Sequence, residues 1–280
     1  MSRALTLEDG LFPGGTRFES RSTLGRGAFG TVFEIYDAQR AVLLAAKVLH
    51  HEHPVALARF KHEFRAFADL HHPNLVRLYE LHAHDGRWFF TMERLHGRDP
   101  LTWLSASTTA VATLDADGDA DPSTGPASGA VENGLGSIGQ VAQDMAAVRH
   151  LFAQIARGLR ALHESGLLHR DLKPSNILVD DTGAAKLLDF GLSGPTSGGE
   201  NPAEGIVGTR GYMAPELLLG EPATTAGDWF AVGVMLHEAL AGCRPGGEAG
   251  HMLPDRADPM GAGLVRLCRA LPVSYTHLTL

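Results

Sequence analysis

Apolar positions recur along the chain in two rhythms, short strand-like runs in the first third and longer helical stripes afterwards. Val32-Phe33-Glu34-Ile35-Tyr36 is rich in β-branched and aromatic residues and stops at Asp37, which predicts a strand. Ala41 to Leu49 predicts another, interrupted by one cation, Lys47. Leu75 to Glu93 reads as two strands around Asp85-Gly86, with Trp88, Phe89 and Phe90 in the second. Between these runs Phe60, Phe64 and Phe67 fall at i, i+4 and i+7, after Pro54 and before Pro73, the pattern of one amphipathic helix.

Farther on, Val148, Leu151, Phe152, Ile155, Leu159 and Leu162 form a stripe that ends at Ser165-Gly166, a glycine C-cap. Ile177-Leu178-Val179 and Ala184 to Leu188, separated by a Gly183 turn, predict a second hairpin. Asp228 to Leu236 is apolar nearly all round, as a buried central helix is. Leu264, Leu267, Cys268 and Leu271 return at helical spacing. The order, strands first and helices after, predicts an α+β fold in two lobes, a small β-rich one with one helix and a larger mainly helical one. Residues 1–16, ending in Phe12-Pro13-Gly14-Gly15, read as a flexible lead-in, with structure expected from Arg17. From about 105 to 144 the chain turns to Ala, Gly, Ser, Thr and Asp without a lasting period, a low-complexity and disordered insertion.

Composition narrows the function classes. The chain has 280 residues, 44% hydrophobic and 20% charged, which suits a folded globular protein. A net charge of -8 leaves no electrostatic footprint for nucleic acid. The N-terminus lacks the apolar core of a signal peptide and no run reaches spanning length, so the expected location is cytoplasmic, with no membrane segment. Cys243 and Cys268, the two cysteines, are expected as reduced thiols. His50, His51, His53, His71 and His72 fall in a loop and at a helix end, where solvated histidines are favoured over a metal site.

Chemistry concentrates at His169-Arg170-Asp171-Leu172-Lys173-Pro174-Ser175-Asn176, a polar loop running directly into an apolar strand. Gly25-x-Gly27-x-x-Gly30 is shared by dinucleotide-binding folds, but there it leads into a helix, and here a strand follows. The turn then reads either as a phosphate cradle or as a plain hairpin. Lys47 alone reads as a snorkelling strand residue, and Glu63 as a solvated helix residue. Yet Glu63 lies three residues after Phe60 on the inward side, where a charge needs a partner, and Lys47 is the natural one. Asp189, at the end of the second hairpin, is a carboxylate placed to suit Mg2+.

Taken in order, these motifs resemble the protein kinase family, and in particular its bacterial serine/threonine members, over roughly Arg17 to Ala241 apart from the insertion. The resemblance implies an amino-terminal lobe over 17–95 and a carboxy-terminal lobe over 96–272. It implies that ATP lies under Leu24, Gly25, Arg26, Gly27, Ala28, Phe29, Gly30, Thr31 and Val32, with Lys47 on its phosphates and Glu63 holding Lys47. Met92 would be the gatekeeper, and the backbone of Glu93 and Leu95 would meet the adenine edge. Asp171 would be the catalytic base, Lys173 would neutralise charge on the γ-phosphoryl, and Asn176 and Asp189 would hold Mg2+. Asp228 would brace the catalytic loop backbone. Ser193 to Glu204 has the composition of an activation segment, read either as a phosphate-docking switch or as a flexible loop. With Lys173, Gly208 to Glu216 implies a protein substrate bearing serine or threonine.

The resemblance thins past Ala241, and no arginine follows that would pair with Glu216. Residues 273–280 read as a non-native tail, so a truncated gene is expected, its full-length product fused to further domains. Two rivals stand beside the kinase: a nucleotide-binding pseudokinase acting as a regulatory module, and a small-molecule kinase of related fold. The first lacks support because Lys47, Asp171, Asn176 and Asp189 are all present; the second would typically lack Lys173-Pro174 and Ala214-Pro215-Glu216.

Overall fold

The computed structural model describes residues 12–13, 15–27, 30–49, 57, 61, 64–65, 67–84, 86–106, 144–189, 209–245, 263 and 266–267. Strands β1 (Phe18–Arg26), β2 (Gly30–Asp37), β3 (Val42–Leu49), β4 (Leu78–His84) and β5 (Arg87–Glu93) form one sheet in the order β1-β2-β3-β5-β4. Every pairing in it is antiparallel. The β4–β5 turn falls where Asp85-Gly86 predicts it, and Gly86 supplies the positive φ of 76°. Alternation sorts the sheet's two faces. Phe33, Ile35, Leu44, Ala46, Val48 and Phe89 pack on one side, and Val32, Ala45, Lys47, Phe90 and Met92 look to the other. Phe64 and Phe67, on a helical segment, are buried against that other face, with Phe64 on Phe90 at 5.9 Å between ring centroids.

Packing starts before Arg17, earlier than the turn-rich composition suggests. Pro13 is buried, and the Phe12 ring lies 5.6 Å from Phe33 and 5.0 Å from Phe89, closing the outer face of the sheet. Arg17 adds a charged clasp, with its guanidinium on Asp37 at 2.7 Å and on Glu80 at 2.9 Å. An aromatic ring on an otherwise open sheet face removes apolar area from water, and this outweighs the freedom of a short lead-in.

The second lobe is built on helix α2 (Met145–Glu164). Asp144 caps it, accepting from the amides of Ala146 and Ala147, and Gly166 follows its end at φ 75°. Its stripe from Val148 to Leu162 is buried as predicted. Before α2, helix α1 covers residues 100–106, so Ser105 and Ala106, at the edge of the expected insertion, are helical. The insertion's remainder, 107–143, lies outside the described residues. Helices α3 (Pro215–Leu218) and α4 (Thr225–Ala241) follow in this lobe; α4 buries Phe230 to His237 and ends at Gly242 with φ 75°. No helix among the described residues is long and apolar enough to cross a membrane.

The hairpin of β6 (Ile177–Val179) and β7 (Ala185–Leu187) sits where the lobes meet. Val76 N–H donates to Leu187 O, and Leu187 N–H donates to Asn74 O. Beneath it lies a buried polar network: Asn74 Nδ2 donates to Gln154 Oε1 and Ala185 O, and Gln154 Nε2 donates to Gly183 O. Gly158 of α2 has no alternative, because a Cβ there would stand 2.8 Å from Asn74 O.

Candidate active site

A cleft of about 960 Å3 separates the lobes, roofed by Leu24, Gly25, Arg26, Gly27, Gly30 and Val32 and floored by Asp171, Lys173, Asn176, Leu178 and Asp189. Met92, Glu93 and Leu95 line its inner edge. Thr31 is buried within β2 and does not line the cleft, because strand alternation turns it away from Gly30 and Val32. Ala28, Phe29 and Glu63 lie outside the described residues, and so does the expected Lys47–Glu63 pair.

The glycines divide their labour. Added Cβ atoms at Gly25 and Gly27 would meet nothing closer than 3.8 Å among the described residues, so the chain leaves room over the cleft, while the Gly27 N–H donates to Gly30 O at 2.9 Å. At Gly30 a Cβ would fall 2.3 Å from Val48 O, so this glycine serves the β2–β3 contact. Lys47 pairs in register with Val32 and Phe90 and is buried, with its ammonium 2.8 Å from Asp189 Oδ1. The pair joins the roof strand β3 to the end of the lower hairpin.

On the floor, Asp171 Oδ2 accepts from Lys173 Nζ at 2.7 Å and from Asn176 Nδ2 at 3.1 Å, and Asn176 Nδ2 also donates to Asp171 O. Lys173 Nζ reaches on to Thr209 Oγ1 at 3.1 Å, a partner that sequence reading missed; its position after Gly208 in the substrate-loop motif was the available signal. Arg170 and Asp189 hold φ values of 67° and 48°, two of the three positive-φ non-glycine residues described; Asp189 lines the cleft, and Arg170 directly precedes Asp171.

Asp228 enforces the loop's strained path from below. Its two oxygens accept the N–H groups of His169 at 2.9 Å and Arg170 at 2.8 Å, and His163 Nε2 donates to it at 2.8 Å. His163 was missed because it follows the last stripe residue, Leu162, and only the turn back toward α4 brings it to Asp228. Burial favours a neutral Asp228, but the His163 bond, the neighbouring His169 and the two amides outweigh it and lower the carboxyl below its ordinary range. Burial also lowers His169, against the pull of Asp228, Asp171 and Asp189.

A titration consequence follows for His169. Its ordinary value is 6.5 and its folded value is lower, so between the two the unfolded chain binds a proton that the folded chain refuses. Stability is complete above pH 6.5 and falls as pH drops below it, by up to about 1.4 kcal/mol per pH unit. Urea unfolding across this window is expected to show a shallower slope for His169→Phe; an identical slope would exclude His169 as the source.

The floor continues into the 209–218 segment. Tyr212 Oη donates to Glu238 Oε2 at 2.6 Å, and burial together with this acceptor raises the phenol above its ordinary range. Arg244 stacks 5.6 Å from the Tyr212 ring. Ala214 packs with Phe230 and Val234, fixing this segment to α4. Phe190, Gly191 and Ser193 to Glu204 lie outside the described residues.

A cleft between a five-stranded sheet and a helical lobe, with this lysine, carboxylate and asparagine set, is the architecture of a protein kinase. Residues 18–254 match the protein kinase domain family, and the chain belongs to it. Among curated proteins it is similar to ribosomal protein S6 kinase alpha-1 of Rattus norvegicus, 32% identical over 235 residues, 82% of this chain and 28% of that protein. Ribosomal protein S6 kinase 2 alpha of Xenopus laevis is 33% identical over 227 residues, 79% of this chain and 26% of the relative. The chain thus spans little more than a quarter of the length of these relatives.

Proposed function

We propose that this protein is an ATP-dependent serine/threonine protein kinase. The observation that carries the reading is the meeting, in one cleft, of the Lys47–Asp189 pair below the uncrowded Gly25 and Gly27 with Asp171 held between Lys173 and Asn176. Asp171 accepts the proton of a substrate hydroxyl as that oxygen bonds to the γ-phosphorus; the bond from phosphorus to the β–γ bridging oxygen breaks, and ADP leaves. Lys47 holds the α- and β-phosphates, and Lys173 stabilises charge on the γ-phosphoryl. The glycine turn at the roof leaves space for the phosphates, and backbone at Glu93 and Leu95 orients the nucleotide. Since the Glu93 N–H donates to Arg77 O, a contact from Glu93 to adenine uses its carbonyl.

The donor set fits magnesium. Asn176 commits its Nδ2 to Asp171, and Asp189 commits Oδ1 to Lys47, so Asn176 Oδ1 and Asp189 Oδ2 are the oxygens for a hard cation. Magnesium shares its shell with phosphates and water, so two protein oxygens suffice for it. Bound there, magnesium neutralises charge on the phosphates.

The same reading assigns 17–95 and 96–272 to the two lobes. The Asp228-Trp229 start of the central helix motif, which resembles bacterial serine/threonine kinases, supports that branch of the family. Incubation with γ-labelled ATP, Mg2+ and a generic protein substrate is expected to place label on serine or threonine and to lose it on chelation. Nucleotide binding without transfer would favour the pseudokinase instead.

A further inference from the structure

Glu93 ends β5, opens the connection between the lobes, and borders two cavities. It lines the main cleft and also a second cavity of about 410 Å3 behind the connection, bounded by Leu70, Pro73, Leu75 and Tyr79. Among the described residues no other lines both. On the rear side its carboxylate collects three hydrogen bonds. Lys186 Nζ donates to Oε1 at 2.6 Å and to Oε2 at 2.8 Å, and Arg77 N–H donates to Oε1 at 2.8 Å. The Glu93 N–H returns a bond to Arg77 O at 3.0 Å.

Lys186 is the middle residue of β7, between Ala185 and Leu187, which are 1% and 0% exposed. Alternation places it on the strand's other side, where a lysine ordinarily extends into water. Here it is held on both oxygens of Glu93, and the side chains are only 26% and 19% exposed. Three residues later the same strand delivers Asp189. One carboxylate therefore fastens the inter-lobe connection to the strand that carries the phosphate-side acid.

We propose that Lys186 is a positioning residue for nucleotide binding, acting through the Glu93 carboxylate. This rests on the kinase reading of the cleft. The pair keeps the backbone at 93–95 at a constant distance from Asp189, so the two walls that meet opposite ends of ATP stay in register. Lys186 touches neither nucleotide nor reacting atoms. Its loss leaves a mostly covered carboxylate short of its charged partner, which then seeks water and displaces the connection. The effect falls on nucleotide affinity, because Asp171 and its partners are untouched.

In Lys186→Met, the KM for ATP and the equilibrium Kd for a non-hydrolysable ATP analogue are both expected to rise about tenfold, about 1.4 kcal/mol. The kcat should stay within about twofold. Lys186→Arg, whose fork presents two N–H groups to a carboxylate, should restore the affinity. Glu93→Gln should weaken binding similarly, and adding Lys186→Met to it should change nothing further. Unchanged KM and Kd, a change confined to kcat, or additive effects of the two substitutions would overturn the proposal. The same binding pattern in a protein that transfers no phosphoryl group would overturn the kinase reading and leave this one standing.

Discussion

Asp171→Asn is expected to cut phosphoryl transfer by about 10²–10⁴-fold, the usual contribution of a positioned general base. Asparagine keeps the shape of the side chain and can still accept from Lys173, so the floor of the cleft stays assembled. What it lacks is an oxygen basic enough to take the hydroxyl proton. Nucleotide affinity should survive, because Lys47 and Asp189 lie on the other side of the site and keep their 2.8 Å contact. The check is label transfer beside analogue binding for the same preparations. Equal transfer by wild type and variant would sink the assignment of Asp171 and, with it, the proposed mechanism.

Asp228→Ala is expected to cost about 3–5 kcal/mol of stability, since each buried group left unsatisfied costs about 1–3 kcal/mol. The carboxylate is 4% exposed and serves three donors, the amides of His169 and Arg170 and the ring of His163. Its removal also releases the force that keeps Arg170 at φ 67°, so Asp171 loses its aim even in molecules that remain folded. Asp228→Asn, which keeps one acceptor, should fall between. Urea unfolding with an unchanged slope against denaturant reads the stability, and transfer well below the melting transition reads the aim. Linkage has a definite sign here: the folded value lies below the ordinary 3.8, so this stability is complete above pH 3.8 and is lost as pH falls through the folded value. A variant with wild-type stability and activity would show that the brace is dispensable.

Much of this was legible because the motifs are local. Glycine spacing before a strand, a lysine in an apolar run, and a polar loop running into a β-strand are each short-range patterns, and the structure places Gly25, Gly27, Lys47, Asp171, Asn176 and Asp189 around one cleft. Thr31 was misplaced because a contiguous motif was read as a contiguous lining, whereas a strand shows alternate residues to alternate faces. Phe12 was discounted because its neighbours are turn formers; its burial depends on Phe33 and Phe89, far along the chain.

By itself the sequence determined which residues carry the chemistry, since charge, proton affinity and glycine's freedom belong to residue types, and it determined the strand and helix order through periodicity. Tertiary structure alone decided who holds whom. That Lys47 meets Asp189, that His163 reaches under the catalytic loop to Asp228, and that Lys186 grips Glu93 are contacts across 142, 65 and 93 residues. Such pairings follow from how β7 and α4 pack against α2 and how that lobe meets the sheet across the cleft, and no local pattern encodes a distance set by packing.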